Sequence, residues 1–178
     1  MNIINDEYAV VFPPRCGTRW TGGRLYDLGL FDSLPPQHWW HNGPCKGEYG
    51  DRKVLCNVRN PYTRVPSIYK WHLAIEDDVP TNIVDWILSD KFHMTKACTK
   101  TYGENQHKIY KYIKLENIRA EYQALLQVDL GKYRGEYIDT NFDDMIGVTW
   151  LRNDECIQRI NEWYKSDFDI LGYEMIQL

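Results

Sequence analysis

The most constraining feature of this chain is a strand-turn-helix pattern that occurs twice, each time with arginine at the turn. The apolar run Tyr8 to Phe12 leads into Pro13-Pro14-Arg15-Cys16-Gly17-Thr18-Arg19-Trp20, and the run Val54 to Val58 leads into Arg59-Asn60-Pro61-Tyr62-Thr63-Arg64-Val65-Pro66-Ser67-Ile68-Tyr69. Short apolar runs bounded by turn residues read as strands buried on both faces, which belong in a parallel sheet covered by helices. Both turns then fall at neighbouring strand ends, where helix N-termini offer N–H groups and a positive dipole end to an anion. A ligand with two separated anionic groups suits that layout.

A chain of 178 residues, 43% hydrophobic and 14% aromatic, is long enough to bury about two-thirds of its unfolded surface in one core, so a single domain over 1–178 is expected. Its net charge of -4 argues against a general nucleic-acid or membrane-surface binder, so the basic residues of the two turns matter by position rather than number. The five cysteines, Cys16, Cys45, Cys56, Cys98 and Cys156, are odd in number, widely spaced and form no C-x-x-C pair. They indicate neither a disulfide framework nor a zinc site, and favour a reducing compartment. The first residues, Met1-Asn2-Ile3-Ile4-Asn5-Asp6-Glu7, lack a basic, apolar leader, and no segment approaches the roughly 20 apolar residues of a membrane span. A soluble, cytoplasmic protein is expected.

Along the chain, Thr18 to Leu28 fits a helix stopped at Gly29, and Pro61 suits the first turn of a helix running to about Leu73. The stretch from Phe31 to Asp51 reads as a structured connection. Pro80-Thr81 opens a short amphipathic helix with Thr81 as its cap, and Lys91 to Gln106 reads as loop. Ile109 to Leu115 fits a third strand, followed by a helix carrying Ile118, Tyr122, Leu125 and Leu126; Ile157, Ile160, Tyr164 and Phe168 fall on one last helix. Strands alternating with helices give an α/β class with a parallel sheet and right-handed crossovers.

In the first turn, Gly17 permits close backbone approach, the N–H groups of Gly17, Thr18 and Arg19 can form a cradle, and Thr18 adds a hydroxyl. Arg15 brings a permanent positive charge able to stabilise charge developing on a transferred group. The pattern is not a Walker loop, because G-x-x-x-x-G-K-[ST] is absent. The plainer alternative is a turn with a surface arginine, and Trp20 is more readily a core residue than a ligand contact. In the second turn, Arg59 at a strand end and Ser67 two turns into the helix can converge on one phosphate. Arg64 is favoured as the partner of a surface carboxylate.

These two segments resemble the phosphosulfate loop, P-K-x-G-[ST]-[ST], and the 3'-phosphate motif, R-x-P-x-x-R-x-x-S-x-Y, of the sulfotransferases that use 3'-phosphoadenosine 5'-phosphosulfate (PAPS). Tyr112-Ile113-Lys114-Leu115-Glu116-Asn117-Ile118 is similar to the family's strand-to-helix Y-E-D/N-L segment. Tyr164-Lys165-Ser166-Asp167-Phe168 with Leu171-Gly172-Tyr173 is similar to its closing Y-x-x-D-F-x-x-x-G-Y. The four landmarks occur in family order across nearly the whole chain, and the second is the most specific.

The resemblance implies a P-loop-like three-layer fold, a central parallel β-sheet flanked by helices. It makes Arg15, Cys16, Gly17, Thr18, Arg19 and Trp20 the 5'-phosphosulfate cradle, and Arg59 and Ser67 the 3'-phosphate ligands. Arg15 stands where the family has lysine, a change that keeps the charge and argues against proton donation; Arg19 replaces a frequent hydroxyl residue. Pro66 removes a backbone hydrogen bond just before Ser67 and is expected to kink the helix.

The implied activity is sulfuryl transfer from PAPS to a hydroxyl, on a carbohydrate or glycan, releasing 3'-phosphoadenosine 5'-phosphate (PAP). Such transfer needs in-line positioning and charge stabilisation. Resembling uronyl-type enzymes place a histidine before the second motif, which selects His41 as base, with His38 the alternative; histidine has a suitable pKa. Trp39 and Trp40 either stack on a sugar or anchor the connection. Glu48 and Glu76 rank lower as bases, and His72, His93 and His107 have no constellation around them. No metal is expected, since His38, His41, Cys45 and Cys56 lack ligand spacing. Lys132-Tyr133-Arg134-Gly135 reads as a solvated turn or a cover over the nucleotide. Rival readings are a nucleotide-binding module without transfer activity, a P-loop kinase, and a single-strand nucleic-acid binder, the last disfavoured by net charge.

Overall fold

The computed structural model describes residues 4–31, 49–94, 96–100, 108–131 and 148–178. Three strands, β1 (Tyr8–Val11), β2 (Lys53–Val58) and β3 (Ile109–Lys114), and six α-helices, α1 (Thr18–Asp27), α2 (Pro61–Ile75), α3 (Ile83–Leu88), α4 (Ile118–Leu126), α5 (Asp154–Trp163) and α6 (Lys165–Leu171), are formed among them. The chain groups into two compact units, Met1–Arg59 with Cys98–Tyr133, and Asn60–Ala97 with Arg134–Leu178.

The first unit holds the sheet, in order β1-β2-β3 and parallel throughout. Val10 pairs with Leu55 and Asn57 with Ile113, with an irregularity in the β2–β3 register between Val54 and Leu55. Tyr8, Val10, Phe12, Leu55, Ile113 and Leu115 pack with Leu25 of α1 and Ile118 and Tyr122 of α4 into one core. The alternate residues Ala9, Val11, Val54, Cys56 and Val58 are buried too, which explains why β1 and β2 read as continuous apolar runs. β3 alternates more, and Tyr110 on it is exposed.

A polar chain crosses this core. The Tyr122 hydroxyl donates to Asn57 Oδ1 (2.9 Å), and Asn57 Nδ2 donates to Thr21 Oγ1 (3.1 Å), tying α4, β2 and α1 together. All three residues are buried, so each relies on the others for the hydrogen bonds that water would supply.

The second unit is helical. Val65, Ile68 and Tyr69 of α2, Ile83, Trp86 and Ile87 of α3, and Cys156, Ile157 and Ile160 of α5 share a core with Phe92, Tyr164 and Phe168. Trp86 lies at ring-centroid distances of 5.3 Å from Tyr69, 5.6 Å from His72 and 5.5 Å from Phe92. Arg159 donates to the carbonyls of Leu88 and Ser89, satisfying acceptors that α3 leaves at its C-terminal end.

Several local expectations change. The cap of α3 is Asn82, whose side chain accepts from Val84 N at 2.8 Å, rather than Thr81. The final helix is two, interrupted at Tyr164, whose ψ of 17° leaves the helical path; α6 ends at Gly172 with φ 65°. Helix α2, with Pro66 in its interior, extends past Leu73 to Ile75, and a short 3-10 turn, Asp90–Met94, lies at the start of the segment read as loop.

Candidate functional site: an anion loop at the start of helix α1

The first arginine segment folds as a tight turn between β1 and α1. Cys16 N donates to the Pro13 carbonyl, Arg15 adopts a left-handed φ of 66°, and Gly17 follows with φ 77°. Arginine pays a steric penalty there that glycine does not, so the turn is held by its surroundings. Two features favour glycine at position 17. Besides its dihedral, a Cβ there would lie 2.5 Å from Leu115 Cδ1, so the third landmark's leucine closes directly on the loop.

Gly17 caps α1 with no side-chain hydrogen bond among the described residues, and the Thr21 amide donates to the Gly17 carbonyl at 2.9 Å. Helices α2, α3 and α5 instead begin under the side chains of Asn60, Asn82 and Asn153. The Thr18 hydroxyl is buried and has no hydrogen-bond partner among the described residues. A hydroxyl taken out of water without compensation is costly. Arg19 is exposed, Cys16 is fully buried, and Trp20 is partly buried against the sheet core, the structural role favoured for it from sequence.

Arg59 reaches the same loop. It follows β2, is partly buried, and its Nη1 donates a long hydrogen bond of 3.5 Å to the Arg15 carbonyl oxygen. Arg15 and Arg59, 44 residues apart in sequence, thus meet within the first unit. Ser67 lies on α2 in the other unit and is partly buried.

Arg64 departs from its expected pairing with a surface carboxylate. It is 1% exposed, donates from Nη1 to the Lys96 carbonyl at 2.7 Å, and lies over the Tyr164 ring at 5.8 Å. Its motif position therefore serves the helical unit's interior. His72, expected to stand alone, is buried with Nδ1 2.7 Å from Glu76 Oε1 and packs on Trp71 and Trp86. Glu76 is thereby engaged with His72.

His41, His38, Trp39, Trp40, Cys45, Glu48, His107 and the 132–135 turn lie outside the described residues, as does the side chain of His93. Among the described residues no group of three or more His, Cys, Asp or Glu is gathered to hold a metal, and no helix is long and apolar enough to cross a membrane.

Sequence reasoning did not find three features of the site: the Leu115 contact with Gly17, the Asn57 network under α1, and a close approach of Cys16 to Cys98. Only Asn57 carried a signal, as the one polar residue inside the run Val54 to Val58. By fold and loop, the first unit is a parallel α/β sheet presenting an anion-suited turn at the ends of two adjacent strands. No family model matches the sequence, and no curated protein or solved structure matches it either.

Proposed function

We propose that the chain is a PAPS-dependent sulfotransferase that moves a sulfuryl group to a hydroxyl on a carbohydrate or glycan. The observation that supports this most directly is the buried Thr18 hydroxyl, which has no hydrogen-bond partner among the described residues and lies at a helix start that none of their side chains caps. The residues present fit a phosphosulfate: a glycine at which a Cβ would meet Leu115, a buried hydroxyl without a partner among the described residues, and Arg15 beside them in sequence. The reading carries with it a P-loop-like three-layer arrangement around the sheet.

In this scheme the bound nucleotide supplies an activated sulfuryl group. His41 takes the proton of the acceptor hydroxyl as its oxygen bonds to sulfur; the bond from sulfur to the bridging oxygen breaks, and its electron pair stays on the 5'-phosphate of PAP. Arg15, with the amides of Gly17, Thr18 and Arg19, stabilises the negative charge spreading over the transferred and leaving oxygens. Cys16 and Trp20 shape the loop, and Arg59 and Ser67 bind the 3'-phosphate. No metal takes part.

The test is turnover of PAPS with a panel of saccharide acceptors, followed by PAP titrations. His41→Ala should lower transfer by about 100-fold or more while leaving PAP affinity within about twofold. Arg59→Ala and Ser67→Ala should each weaken PAP binding; unchanged affinity in both removes the nucleotide assignment. PAP binding with no transfer to any acceptor, and no effect of His41→Ala, would make the chain a nucleotide-binding module instead.

A further inference from the structure

Cys16 lies inside the anion loop, and its sulfur approaches that of Cys98 to 3.4 Å although 82 residues separate them in sequence. Both residues belong to the first unit, both are 0% exposed, and both are thiols. The Cys16 sulfur also lies 3.7 Å from the Pro14 carbonyl. The two sulfurs face each other as a hydrogen-bonded pair in which either thiol can be the donor.

We infer that Cys16 and Cys98 form a redox-responsive pair that controls the shape of the anion loop. A covalent bond between them needs a separation of about 2.05 Å, so the sulfurs must close by more than an ångström. Cys16 is flanked by Arg15 and Gly17, whose left-handed dihedrals of 66° and 77° define the turn, so any movement of Cys16 is passed to both. On the Gly17 side, Leu115 Cδ1 fills the space where a Cβ would stand, 2.5 Å from that position, so a shift of Gly17 also moves the Leu115 side chain. Bond formation therefore distorts the cradle instead of being absorbed beside it.

The oxidant class is a peroxide. One cysteine, as its thiolate, attacks a peroxide oxygen; the O–O bond breaks, giving a sulfenic acid and hydroxide, which takes up the thiol's proton as water. The second sulfur then attacks the sulfenic sulfur, the S–O bond breaks, and a second water leaves with the second thiol proton. Two electrons pass from the sulfurs to the peroxide. Burial makes the reaction depend on transient opening of the loop, and thiol reductants reverse it.

The experiment treats the full chain with hydrogen peroxide, then alkylates remaining thiols under denaturing conditions and maps linked peptides by mass spectrometry. Expected is a Cys16–Cys98 cross-link that dithiothreitol removes, with altered amide hydrogen exchange across 14–20. Absence of that link, or a link that leaves exchange in the loop unchanged, overturns the proposal. A second arm, which rests on the nucleotide reading above, titrates PAP into reduced and oxidised protein. Affinity should fall at least tenfold on oxidation of the native chain and stay within twofold in Cys98→Ser, and equal affinity of the linked and reduced forms overturns control of the cradle. If the reduced protein fails to bind PAP, the nucleotide reading fails, while the link and exchange data still decide the redox pair.

Discussion

Gly17 is the residue on which the loop turns. Its φ of 77° and the 2.5 Å approach of an added Cβ to Leu115 predict that Gly17→Ala destabilises the chain by about 1–3 kcal/mol in denaturant unfolding. Adding Leu115→Ala should recover only the collision and leave the dihedral penalty, so a double-mutant cycle separates the two. Asn57 is the other residue whose loss should be felt. Asn57→Leu leaves the Tyr122 hydroxyl and the Thr21 hydroxyl without their buried partner and should cost about 2–4 kcal/mol, whereas Asn57→Leu combined with Tyr122→Phe should cost less than the two changes summed. Arg64 was legible as a motif residue but not as a buried one. Sequence spacing puts it on a helix near Ser67, while only the folded chain brings the Lys96 carbonyl and the Tyr164 ring to its guanidinium. Arg64→Met should therefore cost about 1.5–3 kcal/mol of stability while leaving PAP affinity within twofold, as thermal unfolding and titration would report.

At the scale of elements, β1 and β2 were readable because a strand buried on both faces needs apolar side chains at consecutive positions. The start of α2 was readable as well: Pro61 takes the first helical position and the Asn60 side chain accepts from Tyr62 N at 2.9 Å. Asn60→Ala should lower stability by about 1 kcal/mol, and Asn60→Gly by only a few tenths, measured by chemical denaturation. The break between α5 and α6 was not readable, because Ile157, Ile160, Tyr164 and Phe168 keep a helical spacing through it. All four pack into one core, so the spacing reports the shared buried face and not the continuity of the backbone. The cap of α3 was misplaced for a related reason. Thr81 and Asn82 are both good capping residues, and which one faces the first free amides depends on where the backbone turns.

Across the whole molecule, the buried ionisable groups make stability depend on pH at the alkaline end. Burial pushes the Cys156 thiol from 9.0 up to about 11, and burial with nearby Cys56 raises the Tyr122 phenol well above 10.0. A raised folded-state pKa gives stability that is complete below the unfolded value and is lost as pH rises through the folded one. Unfolding free energy should thus fall above pH 9, by about 2–3 kcal/mol for the thiol by pH 11, and Cys156→Val should flatten the first part of that decline. The candidate site was legible in part for a physical reason: loop chemistry is local in sequence, so Arg15, Gly17 and Thr18 announce themselves, but their environment is not. Neither the burial of the Thr18 hydroxyl without a partner among the described residues nor the meeting of Arg59 with the Arg15 carbonyl follows from spacing. Thr18 therefore gives the sharpest test of the nucleotide reading. Thr18→Val keeps the shape of the side chain and removes a hydroxyl that has no hydrogen-bond partner among the described residues. Calorimetric titration of PAP should show binding to the native chain and about tenfold or greater weakening in Thr18→Val, with thermal stability equal to or above native. No binding of PAP to the native chain, or equal affinity in the two proteins, would contradict the account.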